Sequence, residues 1–397
     1  MFQKIKSLSE LTYPYVVKAY RHLHKHPELS FQEFKTSAFI QRELDALQIP
    51  YRSGIAQTGI LGWIKGKNPA KKIVALRADM DALPIQEKTN LLWKSVNNNV
   101  MHACGHDAHT ACLLGTAKIL NELKSEFEGT LLLIFQPGEE RSPSGAKLML
   151  QDGLFNDYTP DLVIGQHVSE DYPIGSLAFR EGKIMASADE IHLTIRGKGG
   201  HGAKPHLIND TVLAASQTVV SLQQVRSRLC PPLIPMVLTF GKLKADGATN
   251  VIPNEVYLSG TFRTFDEEWR KTAKEHIRRI IEQTCQTYGC TVEIEMPDGY
   301  PYLENNKILT RKIRSFAAEL IGKENVLEFD QRLTSEDFSF YSQLYPSCFY
   351  RFGVRGNEPT GSSHTPLFRI DERALLTGIS GLSWIGWRCL NEELIIA

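Results

Sequence analysis

Residues 129–140 read GTLLLIFQPGEE, and this stretch decides the fold. Its apolar residues run without alternating, over a length that suits a strand and falls short of a helix. A strand with no polar face is covered on both sides, as in an α/β sheet. Upstream, residues 104–123 are helical. Residues 59–65 and 72–77 are further short apolar runs, the second ending in RADMDALP. Downstream come a helix at 145–151 and another strand-like run at 161–168. Two helices separated by Pro27 open the chain within residues 2–47. Strands alternating with helices make an α/β domain with helices on its sheet.

The texture changes near Ala186. From there the pattern is strand (189–196), helix (210–224), strands (234–243 and 255–262), helix (267–288) and strand (291–295), the split β-α-β-β-α-β order of a ferredoxin-like unit. In its second helix Trp269, Ala273, Ile277, Ile280, Ile281 and Cys285 share one face, a core stripe. After Pro301 a helix (307–321), a short segment (325–329) and a closing helix that Asp371 could cap return to the first domain. The expected organisation is a domain of residues 1–185 and 299–397 interrupted by an inserted one, 186–298. That matches the size prior, since 397 residues exceed the ~100–200 of one domain.

Lys plus Arg (45) equals Asp plus Glu (45), so bulk charge recruits neither nucleic acid nor an anionic membrane. No run reaches the ~20 apolar residues of a membrane span, and the N-terminus has no signal-peptide core. Seven cysteines without a CxxC are no disulfide scaffold and point to a reducing compartment, hence the cytoplasm. Zincin, dinucleotide, P-loop and nucleophile-elbow signatures are absent.

Chemistry-bearing residues crowd the ends of the apolar runs, where open α/β sheets place ligands. In MHACGHDAH, Cys104 and His106 flank Gly105, with His102, Asp107 and His109 nearby; thiolate and imidazole suit a borderline-soft divalent ion. In QPGEER, Glu139 and Glu140 are adjacent and point apart, so one can bind a cation while the other acts as a general base. His167 ends a buried-strand pattern, and His364 lies in the loop GSSHTP. Taken singly, each of these residues reads equally well as a satisfied core or turn residue. Asp79 and Asp81 of RADMDALP read as ligands, as partners orienting a ligand, or as turn residues.

Nine motifs appear in order over roughly 340 residues: LHKHPELSFQE, LRADMDALP, MHACGHDAH, QPGEE, GKGGHGAKPH, TNVIP, GTFRT, TSEDFSFY and SSHTP. Together they resemble the amidohydrolase branch of the aminoacylase/carboxypeptidase G superfamily, which contains the hippurate and indole-acetyl-amino-acid hydrolases. The resemblance implies a zinc-peptidase-like catalytic domain, a lid that dimerises, and two divalent ions per subunit (Zn, Mn, Co or Ni). It implies Cys104, His106, Glu140, His167 and His364 as metal ligands and Glu139 as the base. His201 would stabilise the oxyanion across subunits, Asn250 and Arg263 would hold the substrate's carboxylate end, and Glu336 and Asp337 would border the site. Other branches carry a His where this chain has Asp79, which leaves Asp79 and Asp81 outside the ligand set; His24 with Pro27 and Glu28 reads as structural. The implied reaction is hydrolysis of an N-acyl amino acid by a homodimer or tetramer. The competing readings are a diaminopimelate-type deacylase or dipeptidase on the same scaffold, and a catalytically silent metal- or ligand-binding protein.

Overall fold

The computed structural model describes residues 1–358 and 361–393. Its chain divides into two compact units. The first comprises Met1–Ile184, Glu304–Gln331 and the described part of Asp337–Ala397; the second comprises Met185–Leu303 and Arg332–Glu336.

The first unit is built on eight strands: β1 (Tyr51–Ile55), β2 (Gly59–Lys65), β3 (Ile73–Asp79), β4 (Thr130–Gln136), β5 (Leu162–Pro173), β6 (Leu177–Phe179), β7 (Val326–Glu328) and β8 (Ser347–Arg355). Their order is β1-β2-β4-β3-β5-β8-β6-β7. The four central strands β4, β3, β5 and β8 are parallel; β1 and β2 pair antiparallel with their neighbours, and β6 pairs antiparallel with β8 and parallel with β7. Every residue of β4 is buried, which is why its sequence shows no polar face. Helices Phe2–Lys25, His106–Glu122 and Ala374–Asn391 pack on one another, and the last two also on β3. At Leu133, within this core, truncation to alanine would cost ~2–5 kcal/mol. The first helix ends at Lys25 because Pro27 disfavours helical backbone at the residue before it.

One element is added to the sequence reading and one local expectation is corrected. Residues 347–355 (SCFYRFGVR), for which the sequence pattern names no element, form β8, the neighbour of β5. Asp371 does not cap the closing helix, which begins at Ala374; its carboxylate instead accepts the Arg373 N–H (3.0 Å).

The second unit has a four-stranded antiparallel sheet in the order Met236–Ala245, Glu255–Thr264, Asp189–Arg196, Thr291–Glu295, the ferredoxin-like arrangement. Helices Thr211–Gln224 and Glu267–Thr287 supply the other half of its core. Asp210 and Asp266 cap them, accepting the N–H groups of Leu213 (2.9 Å) and Trp269 (2.8 Å). Buried Asp189 is held by Arg270 (2.6 Å) and Lys274 (2.6 Å). Residues 332–336 belong here because Ala186 N–H bonds the carbonyls of Arg332 and Thr334.

Candidate metal centre

The site forms where the parallel strands of the first unit end. Asp79, the last residue of β3, is in register with Gln136, the last of β4. On β5, Gly165 pairs with Arg77, so His167, two residues on, is level with Asp79. After β4 the chain turns through Pro137 and Gly138 and presents Glu139 and Glu140. Gly105 stands at φ 87°, in the left-handed region, and directly precedes the helix carrying His106 and His109. A Cβ on it would strike the Val168 side chain at 2.5 Å. The loop bearing His364 is tied to Ala103, whose carbonyl accepts the His364 N–H (2.8 Å).

These elements bring donor atoms together. Cys104 Sγ lies 3.5 Å from His167 Nε2, and His364 Nε2 lies 3.1 Å from Glu140 Oε1. His106 Nε2 is 4.0 Å from both Glu139 Oε2 and Glu140 Oε1. Among the groups whose donor atoms all lie within 4.8 Å of one another are Cys104 with His106 and His167, Cys104 with Glu140 and His364, and His106 with Glu139 and Glu140. The groups share members, so the donors form one continuous cluster.

Each imidazole is oriented by what its other nitrogen does. His106 Nδ1 donates to Asp81, at the backbone carbonyl (3.0 Å) and the carboxylate (3.1 Å), which aims Nε2 into the cluster. His167 Nδ1 donates to the Val168 carbonyl (2.7 Å), aiming its Nε2 at Cys104. His109 has no spare nitrogen: Nε2 accepts the Val168 N–H (2.9 Å) and Nδ1 donates to Asp79 (2.5 Å). Asp79 is also bound by Arg77 (2.5 Å). Of the three readings of Asp79 and Asp81, the geometry makes Asp81 the partner that orients His106, while Asp79 bonds Arg77 and the non-ligating His109. Sequence reasoning left that role open; the usable signal was an acid at a strand end with histidines entering the next helix. His102 is buried with neither nitrogen hydrogen-bonded, and burial pushes it down to about 4.

The cluster fits a divalent cation. His106 Nε2 is buried without a hydrogen-bond partner, the condition a metal bond relieves, and the buried Glu140 Oε1 has the His364 imidazole beside it (3.1 Å). The donor set of thiol, imidazole and carboxylate suits a borderline ion. The field is negative: although burial disfavours the imidazolium, Asp79, Cys104 and Asp81 hold His106 well above its ordinary range. Burial, reinforced by the Glu140 charge, pushes the Cys104 thiol up to about 12, so a cation must displace its proton to bind sulfur.

The remaining residues singled out in the sequence belong to the second unit. His201 and Asn250 share a two-stranded ribbon, where His201 pairs with Val251 and the Gly202 N–H bonds the Asn250 carbonyl (2.8 Å). Both are exposed. His201 Nδ1 accepts the Ala203 N–H (3.1 Å), which puts the ring proton on Nε2 and makes that atom a donor. Arg263 donates to the Leu333 carbonyl (3.2 Å) and to Ser335 (3.3 Å), and Glu336 is buried.

Comparison with known proteins places this geometry in a family. The model of peptidase family M20/M25/M40 matches residues 75–383. An IAA-amino acid hydrolase of Arabidopsis thaliana (ILR1-like 5) is 37% identical over 388 residues, covering 96% of this chain and 88% of the relative. An N-acetyl-L-cysteine deacetylase of Bacillus subtilis is 39% identical over 356 residues, covering 90% of this chain and 83% of the relative. Among solved structures, the Bacillus subtilis YXEP protein, described as a dinuclear metal-binding peptidase of the M20 family, superposes with a TM-score of 0.81 at 34% identity, covering 96% of this chain and 99% of that one. The chain belongs to the M20/M25/M40 peptidase family and is a metal-dependent hydrolase acting on amides.

Proposed function

We propose that this hydrolase cleaves N-acyl amino acids to a carboxylic acid and a free amino acid, using two divalent ions per subunit. The observation that carries the reading is the donor cluster, buried at His106 and His167 and open to solvent at His364, with Glu139 beside it; the relatives' names, an IAA-amino acid hydrolase and an N-acetyl-L-cysteine deacetylase, support the substrate class. Cys104, His106, Glu140, His167 and His364 would hold the ions, which when bound polarise the amide carbonyl and acidify the attacking water. Mixed sulfur, nitrogen and oxygen donors suit Zn, and Mn, Co or Ni fit the same set.

Glu139 accepts the water's proton as the oxygen attacks the amide carbon, and returns it to the nitrogen as the C–N bond breaks. His201, supplied by the neighbouring copy in a homodimer, donates Nε2–H to the developing oxyanion. Arg263 grips the substrate carboxylate through a charge-assisted bond, and Asn250 and Glu336 border it. The enzyme acts in the cytoplasm; no described helix is long and apolar enough to cross a membrane.

The test is release of free amino acid from acetyl-, benzoyl- and indole-acetyl-amino acids by chelator-stripped protein, with Zn, Mn, Co or Ni restored singly. Metal-restored release on any of them supports the reading and ranks the acyl groups. No release by protein holding two ions overturns it and moves the search to N-acyl-diaminopimelate.

A further inference from the structure

The motif LHKHPELSFQE, residues 23–33, has no place in the chemistry above, yet three of its side chains reach the site's supports. Ser30 donates to Asp81 (2.6 Å), the residue that orients His106. The Phe31 ring fills the space that a Cβ on Gly138 would need, and Gly138 sits at φ 58°. Glu33 is fully buried: one oxygen accepts the N–H groups of Gly138 (2.9 Å) and Phe31 (2.9 Å), and the other accepts the Thr58 hydroxyl (2.7 Å).

Asp81 meanwhile accepts the Glu140 N–H (3.0 Å). The amides on either side of Glu139 are therefore both tied to buried carboxylates, Glu33 behind and Asp81 ahead. Beyond the loop, Asp337 accepts the Ala146 N–H (3.0 Å) and the Ser144 hydroxyl (2.8 Å). Buried carboxylates rarely persist without a full set of donors, and for Glu33 and Asp81 one donor each is a backbone N–H of the loop that carries the base.

We infer that Glu33 is a positioning residue that sets the backbone of the Pro137–Glu140 turn and thereby the reach of Glu139. The inference rests on Glu139 being the base. What Glu33 supplies is an acceptor oxygen to the Gly138 and Phe31 N–H groups, a role that a glutamine carbonyl can fill while its amide N–H donates to the Thr58 hydroxyl. Burial, aided by the nearby Asp81 charge, pushes the Glu33 carboxyl up to about 7.

The experiment compares Glu33→Ala, Glu33→Gln and Glu139→Gln in the metal-loaded full chain, on the N-acyl amino acid turned over fastest in the panel above. Metal content and thermal midpoint are measured on each. Glu33→Ala should lower kcat by about 10–100-fold, as expected when a catalytic group shifts by roughly 1 Å. KM should stay within about twofold of normal and metal content should be full, while Glu33→Gln, still accepting the Gly138 N–H, should recover most of the rate. If Glu33→Ala does not accumulate as folded protein, Glu33→Asp, one methylene shorter, replaces it with the same expected readout.

Unchanged kcat in folded Glu33→Ala overturns the inference, as does equal damage in the alanine and glutamine variants, or metal loss in step with activity. If those results coincide with an inactive Glu139→Gln, only the positioning role falls. If Glu139→Gln keeps its turnover, the base assignment falls and the positioning role with it.

Discussion

The donor cluster of the first unit and the ribbon of the second are built in opposite ways. In the first, His106, His167 and the Glu139–Glu140 turn are buried or nearly so, and their backbone or second ring nitrogen is already tied to Asp81, Val168 or Glu33. In the second, His201 and Asn250 are exposed on a ribbon of two paired residues per strand. A group that must hold an ion has its geometry fixed before the ion arrives, because a loose ligand shell costs affinity. On the roles proposed for them these two residues reach substrate, and a group that does so has to stay accessible.

The most forceful way to break that contrast is at Glu139. Glu139→Gln should keep its metal and lose ~10²–10⁴-fold in kcat; near-normal turnover, read by single-turnover kinetics, would remove the base from the fixed region. His201→Ala follows, with an expected loss of ~10²–10³-fold in kcat and unchanged metal content, since on its proposed role His201 supplies one oxyanion donor. Metal loss in that variant, measured by atomic absorption, would erase the distinction between the two regions.

Asp81→Ala tests the fixed region from behind. Losing the partner of His106 Nδ1 should weaken metal binding by ~10–100-fold in a competitive chelator titration, and an unaltered affinity would mean that the cluster needs no such support.

The smallest effect is a pH dependence of stability. His24 is buried between Asp107 (2.7 Å) and Glu87 (3.2 Å), and although burial opposes the charge, those two carboxylates raise it to about 9. The folded chain thus keeps a proton that the unfolded chain releases near pH 6.5. The resulting stabilisation, up to ~3 kcal/mol, is complete below pH 6.5 and is lost as pH rises toward 9. His24→Gln should flatten the fall in thermal midpoint across that window; an unchanged slope would assign the dependence elsewhere.

Much of this was legible in the chain. The unbroken run before PGEE gives a covered strand because burial on both faces leaves no polar face, and the 3.6-residue stripe of Trp269 to Cys285 gives the helix it forms. The nine motifs give the family, since residue order survives as a linear signal. The strand at 347–355 escaped because Arg351, charged in sequence, is buried in the fold, and a linear pattern counts charge without knowing its surroundings.

The supports of the site were equally hidden. Glu33 and Gly138 are 105 residues apart, and Ser30 and Asp81 are 51 apart. Nothing local distinguishes these acids from solvated ones. By itself the sequence determined most of the elements and which residues carry donor atoms, because periodicity and residue chemistry are local properties. Only the tertiary structure decided which nitrogen of each histidine faces the cluster and which carboxylates stand behind it, because hydrogen bonds and burial are set by neighbours that the chain supplies from far away.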